Sequence, residues 1–171
     1  MENYAKAVGP YVQIINVNDD LGTQTGPMLS PRLYRQRVKP YQQKLYEYVK
    51  SHFDGHLFLH SDGSVYSLIP DLIEIGADIM NPVQFSAANM DARKLKVEFG
   101  KDLTFWGGGC DTQAVLPYGT PQQVRDEVRR HIEELAPGGG FVFNQVHNIQ
   151  ADVPPENVIA MYAAVAEFGG Y

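Results

Sequence analysis

A few histidines and aspartates of this chain stand in company that suggests proton chemistry. His60 and Asp62 are two residues apart, the spacing at which side chains of one strand project to the same face. His147 ends a second apolar stretch, and Asp19 and Asp20 follow a third. Imidazole beside carboxylate can act as general acid or base, and adjacent aspartates can accept protons or bind a substrate hydroxyl. Each group also has a plainer use. The His60–Asp62 pair can be a hydrogen-bonded couple that orients substrate, and Asp19 and Asp20 can cap a loop. Gln84, Cys110 and Asp111 add polar groups at comparable places. Cys110 follows Gly107-Gly108-Gly109, a run that lets backbone amides approach a ligand. The next helix begins only near Pro121, so no helix dipole would lower the thiol's pKa, and Cys110 reads as an unreactive loop cysteine. Gly138-Gly139-Gly140 reads as a turn before a strand. His52, His56 and His131 fall at helix ends or strand starts and carry no functional signal, while Trp106 and the aromatic run Tyr34 to Tyr48 read as core packing.

These side chains need a scaffold, and the sequence offers strands alternating with helices. Five short segments, most of them rich in β-branched or aromatic residues, read as buried strands: Tyr11 to Asn18, His56 to Ser61, Ile79 to Gln84, Leu103 to Gly107 and Phe141 to His147. Ser30-Pro31 starts a helix with Tyr34, Val38, Tyr41, Leu45 and Tyr48 on one stripe, which Pro40 kinks or splits. Ser64 to Ile75 and Ser86 to Phe99 read as amphipathic helices stopped by Gly76 and Gly100, the residue type that accepts a left-handed conformation. Thr120-Pro121-Gln122-Gln123 is a capping box, followed by the apolar stripe Val124, Val128, Ile132 and Leu135. Pro154-Pro155-Glu156 opens the last helix, with Val158, Met161, Val165 and Phe168 expected to face inward.

Strict alternation implies parallel strands with crossover helices, in an open doubly wound sheet or a (β/α)8 barrel. No glycine-rich phosphate loop follows the first strand, which favours the barrel. Five of eight units in a typical barrel of ~250 residues would take about 156 residues. At 171 residues the chain has the length of a partial TIM-type barrel of five strand-helix units, a single domain over 1–171. With 44% hydrophobic and 20% charged residues the composition is that of a globular protein, and disorder, collagen and coiled coil are excluded. The net charge of −6 argues against nucleic acid or an anionic membrane surface as partner and leaves small molecules or proteins. No apolar run is long enough to span a membrane, the first residues lack a signal-peptide pattern, and a lone cysteine agrees with a reducing compartment, so a cytoplasmic location is expected.

The motifs Asn18-Asp19-Asp20-Leu21-Gly22, Gly26-Pro27, Ser30-Pro31, His60-Ser61-Asp62-Gly63, Gly76-Ala77-Asp78, Asn81-Pro82-Val83-Gln84, Phe105-Trp106-Gly107-Gly108-Gly109, Gly119-Thr120-Pro121, Val146-His147-Asn148-Ile149 and Val153-Pro154-Pro155-Glu156-Asn157, taken in order, resemble the uroporphyrinogen decarboxylase family. That family places porphyrinogen decarboxylases and cobalamin-linked methyltransferases on one barrel fold. The resemblance spans nearly the whole chain and matches the C-terminal half of the family domain. The arginine-containing loop and essential aspartate of the decarboxylases belong to the other half.

The two branches imply different roles for the same residues. In the methyltransferase branch the matching positions form a zinc site, with a His-x-Cys-Gly motif and a later cysteine. Here Asp62 stands in place of the first cysteine and His147 lies close to the second, so the resemblance implies a metal site of His60, Asp62 and His147, with zinc as the candidate ion. Imidazole and carboxylate are competent zinc ligands, and three ligands with an open position describe a catalytic centre. In the decarboxylase branch His147 and Asp62 match positions of Gly-His-Gly and Lys-Asp-Gly segments, and no cofactor is needed. Three functions follow: methyl transfer or O-demethylation with a corrinoid protein as partner, uroporphyrinogen decarboxylation, or a non-catalytic subunit that keeps the fold. A substrate bearing many carboxylates needs cationic clamps, yet Arg32, Arg35, Arg37, Arg93, Arg125, Arg129 and Arg130 all lie in expected helices. Methyl transfer is therefore favoured, with His60, Asp62 and His147 holding metal or proton and Asp19 and Asp20 orienting substrate. The first and last strands would lack sheet neighbours, so the chain is expected to pair with a separate N-terminal half-barrel or to self-associate.

Overall fold

A computed structural model describes residues 2–170. Five parallel strands, β1 (Ile14–Asn18), β2 (His56–His60), β3 (Ile79–Asn81), β4 (Thr104–Trp106) and β5 (Phe141–Val142), pair in the order in which they occur along the chain. The helices are α1 (Glu2–Val8), α2 (Pro31–Arg37), α3 (Lys39–His52), α4 (Ile69–Glu74), α5 (Ala92–Phe99), α6 (Val115–Tyr118), α7 (Pro121–Leu135) and α8 (Pro155–Phe168). A doubly wound sheet reverses its strand order at a switch point, whereas a barrel wall adds each strand beside the last. The order β1-β2-β3-β4-β5 has no reversal, and the architecture is a partial barrel.

Register sorts the strand residues into two faces. Ile15 pairs with Leu57, Leu59 with Met80, Met80 with Phe105 and Phe105 with Phe141, and this buried row packs beneath the helices. The alternate row, with Asn18 opposite His60 and His60 opposite Asn81, faces what would be the barrel interior.

The helix ends follow local chemistry. Ser30 Oγ accepts from Leu33 N, and the expected break near Pro40 occurs at Val38, dividing α2 from α3. The Thr120–Gln123 capping box is formed, and Val124, Val128, Ile132 and Leu135 are buried as the stripe predicts. Buried Asp71 ties α4 to α2 and α3 through Arg35 (2.9 Å) and Lys39 (2.8 Å), which together hold its carboxyl below the usual range.

Several expectations need correction. The strands are shorter than their apolar runs because Pro82 has no N–H to continue pairing, Gly107 and Gly108 turn out at φ 99° and 83°, and Tyr11 lies in a 3-10 turn. Phe143 to His147 is irregular, although Asn144 O and Val146 N still bond the loop after β4. Of the expected helix Ser86 to Phe99 only α5 forms, because the Asp91 carboxylate caps Lys94 N (2.7 Å) and starts the helix there. Gly76 is left-handed (φ 104°) as expected, but Gly100 ends α5 with a right-handed φ of −66°. On α8 Met161 is buried, Val158, Val165 and Phe168 only partly, and Asn157 and Ala164 share the inner face. His131 is not at a helix end but inside α7, on its buried face. The short helices α1 and α6 have no counterpart in the sequence reading.

Candidate active site

β1 and β2 run side by side, and the loops that leave their C-terminal ends stay paired. Asp19 N donates to His60 O (3.0 Å), and Ser64 N donates to Thr23 O (2.7 Å). The two loops touch backbone to backbone: a Cβ at Gly22 would lie 2.5 Å from Asp62 O, so only glycine permits the approach. This contact brings Asp20 beside Asp62, whose N–H donates to Asp20 Oδ1 (3.2 Å).

The result is a cluster of Asp20, His60 and Asp62 whose potential ligand atoms lie within 4.8 Å of one another. His60 Nε2 is 3.4 Å from Asp62 Oδ2, and His147 Nε2 approaches the same oxygen at 3.8 Å, outside the three-residue cluster. Asp62 lies past the end of the strand, so the meeting with His60 is made by the turn rather than by strand alternation. Asp19 turns away. Its Oδ2 accepts from Gln42 Nε2 (2.7 Å), and Gln42 Oε1 accepts from Tyr34 OH (2.8 Å), which pins Asp19 to α2 and α3.

Asn81 completes the site, and sequence reasoning passed it over. Its Nδ2 donates to Trp106 O (2.8 Å), which fixes the amide, so its Oδ1 accepts from His60 Nδ1 (2.7 Å). The Nδ1 proton is thereby assigned, and Nε2 is the nitrogen turned to Asp62. Nε2 faces Asp62 Oδ2 at 3.4 Å and is the nitrogen open to a hydrogen bond or a shared cation. The cross-strand register of His60 and Asn81 is the signal that would have revealed the partnership.

Beyond Asp62 and His147 opens a cavity of about 360 Å³, with Gln24, Gln84 and Gln113 on its walls. A larger cleft of about 740 Å³ lies between α5 and α7, beside Gly100 and Gly138 at the opposite end of the strands. Cys110 is fully buried beside Glu127, and burial, reinforced by that carboxylate, pushes its thiol far above the ordinary range, which disfavours the thiolate.

The electrostatics of the strand ends are one-sided. The loops that follow the strands (19–30, 61–65, 82–91, 107–114 and 143–154) carry Asp19, Asp20, Asp62, Asp91, Asp111 and Asp152 and neither Lys nor Arg. Every arginine lies in α2, α5 or α7.

Residues 2–168 match the family model described as Uroporphyrinogen decarboxylase (URO-D). The chain belongs to the uroporphyrinogen decarboxylase family. Within it, the chain is 29% identical over 148 residues to the uroporphyrinogen decarboxylase of Pseudoalteromonas translucida, covering 84% of the chain and 39% of that relative. It is 30% identical over 147 residues to the enzyme of Psychromonas ingrahamii, covering 83% and 39%. A solved methyltransferase from Methanosarcina mazei superposes with a TM-score of 0.72 at 24% identity, over 98% of this chain and 46% of that one, which establishes a shared fold. The chain thus spans less than half the length of the two curated relatives and of the methyltransferase structure. Among the described residues no helix is long and apolar enough to cross a membrane.

Proposed function

We propose that this chain supplies the catalytic wall of a uroporphyrinogen decarboxylase-family barrel that transfers a methyl group, most simply by O-demethylation, to a corrinoid carried on a partner protein. The observation that carries this reading is the acidic rim of the strand ends, devoid of Lys and Arg. With Lys and Arg absent from these loops a polycarboxylate finds no clamp there even when a cation neutralises Asp20 and Asp62, and without the cation a substrate carboxylate about 6 Å from Asp62 incurs a repulsion of roughly 1–3 kcal/mol, between the limits of bulk water and a protein surface. An uncharged methyl donor incurs none.

The donor set fits a divalent metal. Asp20, His60 and Asp62 would hold it, with His147 beside Asp62, and oxygen and imidazole ligands suit zinc or another first-row ion. When bound, such an ion supplies Lewis-acid polarisation of the donor oxygen. The chain's own groups do the rest. Asn81 holds the His60 ring in place, and Asp62 orients both imidazoles. His147, half exposed at the cavity, holds a proton for the departing oxygen. The methyl–oxygen bond breaks with its electron pair left on oxygen, oxygen takes that proton, and the methyl passes to the nucleophilic acceptor. From the β1 side Asp20 faces the site beside Asp62, while Asp19, held by Gln42 against α2 and α3, anchors the loop that carries it.

Decarboxylation is the second reading, favoured by the names of the curated relatives. The test joins this chain to an N-terminal half of the family domain and assays the complete barrel with methyl ethers plus a corrinoid acceptor, and separately with uroporphyrinogen. Methyl transfer that His147→Ala abolishes is expected, with uroporphyrinogen inert. Turnover of uroporphyrinogen lost in the same variant, with methyl ethers inert, reverses the assignment.

A further inference from the structure

We infer that the cleft between α5 and α7, at the end of the strands opposite the candidate active site, is a binding site for a phosphate group carried on a small molecule, clamped by Arg93 and Arg130. The inference is independent of the reaction proposed above. Arg93 and Lys96 line the cleft from α5, Lys101 from the turn after it, and Arg130 from α7. None of Arg93, Lys96 and Lys101 forms an ion pair with a carboxylate among the described residues. Lys96 is partly buried, its Nζ donates to Gly139 O, and burial holds its ammonium below the usual lysine range with no carboxylate to restore it. Helix ends account for only part of this charge. The carbonyl ends of α5 and α7 favour a cation beside them, which Lys96 and Lys101 supply. Arg93, however, is the second residue of α5, where the dipole disfavours a cation, and Arg130 stands more than a turn before the end of α7.

The cleft's own carboxylates do not neutralise these cations. Glu133 is taken by Arg129 Nε (2.8 Å), and Glu134 Oε2 faces His131 Nδ1 at 3.2 Å but outside hydrogen-bond geometry. Arg130 meets Glu127 Oε1 (3.3 Å) and His131 Nε2 (3.1 Å) through Nη2 alone, so its Nε and Nη1 have no acceptor among the described residues. A guanidinium only donates, so His131 Nε2 accepts and Nδ1 carries the proton, a buried N–H without an acceptor. A small rotation of Glu134 would satisfy that donor and withdraw the carboxylate from the cleft, and a phosphate beside Arg130 would drive it by repulsion. Guanidinium forks match phosphate oxygens, and the surplus of positive charge suits a dianion better than a monocarboxylate. The acidic strand ends offer a phosphate no such cations. The volume of about 740 Å³ leaves room for the rest of a small molecule, and Gly138, left-handed at φ 81° with open space where a side chain would stand, keeps the rim clear.

The test is calorimetric titration of the complete barrel, at low salt, with inorganic phosphate and ribose 5-phosphate, and with citrate as the polycarboxylate comparison. Both phosphates are expected to bind, and more tightly than citrate. Arg93→Gln, at an exposed position, should weaken them about tenfold without changing the melting temperature. Lys94→Gln removes the same charge one residue away, from a side chain laid over the Tyr66 ring (4.0 Å), and should leave binding nearly unchanged. Glu134→Gln removes the repelling carboxylate and should strengthen binding. Equal losses in Arg93→Gln and Lys94→Gln would reduce the effect to overall charge and overturn the site. Weaker binding in Glu134→Gln, a preference for citrate, or no binding of inorganic phosphate would overturn it as well. Phosphate binding that is lost in His60→Ala and kept in Arg93→Gln would move the anion to the strand ends and refute the inference.

Discussion

His60 illustrates how much of this site depends on a residue that touches no substrate. Its two nitrogens are made inequivalent by Asn81, which takes the Nδ1 proton and is itself oriented by Trp106 O. Metal-ligating histidines commonly donate their other N–H in this way, and loss of such a partner lowers metal affinity about 10- to 100-fold. Purified without chelator, the complete barrel is expected to carry near-stoichiometric divalent metal, which His60→Ala and Asp20→Asn remove. Asn81→Leu should retain the ligands but bind the ion more weakly, by competition titration against a zinc indicator. Equal affinity in Asn81→Leu would show that the ring is held by its neighbours instead, and metal-free protein would leave His60 and Asp62 as a pair that orients substrate. The ligand types were legible in the sequence because histidine and aspartate at strand ends are conspicuous. Asn81, Gln42 and Tyr34 were not, since a carboxamide or a helical tyrosine gains a role only when register and packing place it against His60 or Asp19.

At the scale of elements, legibility tracked the range of the forces involved. The α7 capping box and stripe are local and were read correctly, whereas strand ends depend on pairing, which apolar runs do not report. His131 shows the same limit, because a histidine within an apolar stripe is uninformative until the stripe is seen to be buried. Its ring lies against Phe85 (centroids 3.9 Å apart), and burial lowers its pKa from 6.5 to about 4, with Arg130 adding to the shift. The folded state therefore keeps His131 neutral while the unfolded chain takes up a proton below pH 6.5. The unfolded state binds more protons across the window from about 6.5 to 4, so stability falls as pH falls through it. The stabilisation is present in full above pH 6.5, and its loss by pH 4 amounts to up to about 3 kcal/mol. Melting temperatures of the complete barrel between pH 4 and 7 should show this slope, and His131→Phe should flatten it. A slope identical in the two proteins would place the acid sensitivity elsewhere.

The whole molecule is a wall rather than an enclosure. β1 and β5 each have one neighbour in the sheet, and on the face away from the helices Ile14 and Val142 are each 36% exposed, with the Phe58–Trp106 edge-to-face pair between them partly buried. Parallel sheets are stable when both faces are covered and their edges are paired, because an open edge leaves a row of unmatched N–H and C=O groups. The methyltransferase that shares this fold has more than twice the aligned length, enough for the remaining units of a barrel. Alone at micromolar concentration, this chain is therefore expected to self-associate and to melt without a sharp transition. Mixed with an N-terminal half of the family domain, it should form a one-to-one complex with a single cooperative melt, and light scattering with calorimetry would read both states. The complement would pair its strands with β1 and β5 and cover Phe58 and Trp106, so the fluorescence of Trp106 should shift to the blue on mixing. A monodisperse monomer with a cooperative melt would show instead that the five units bury enough on their own, and the edges would then have to be protected by side chains rather than by a partner.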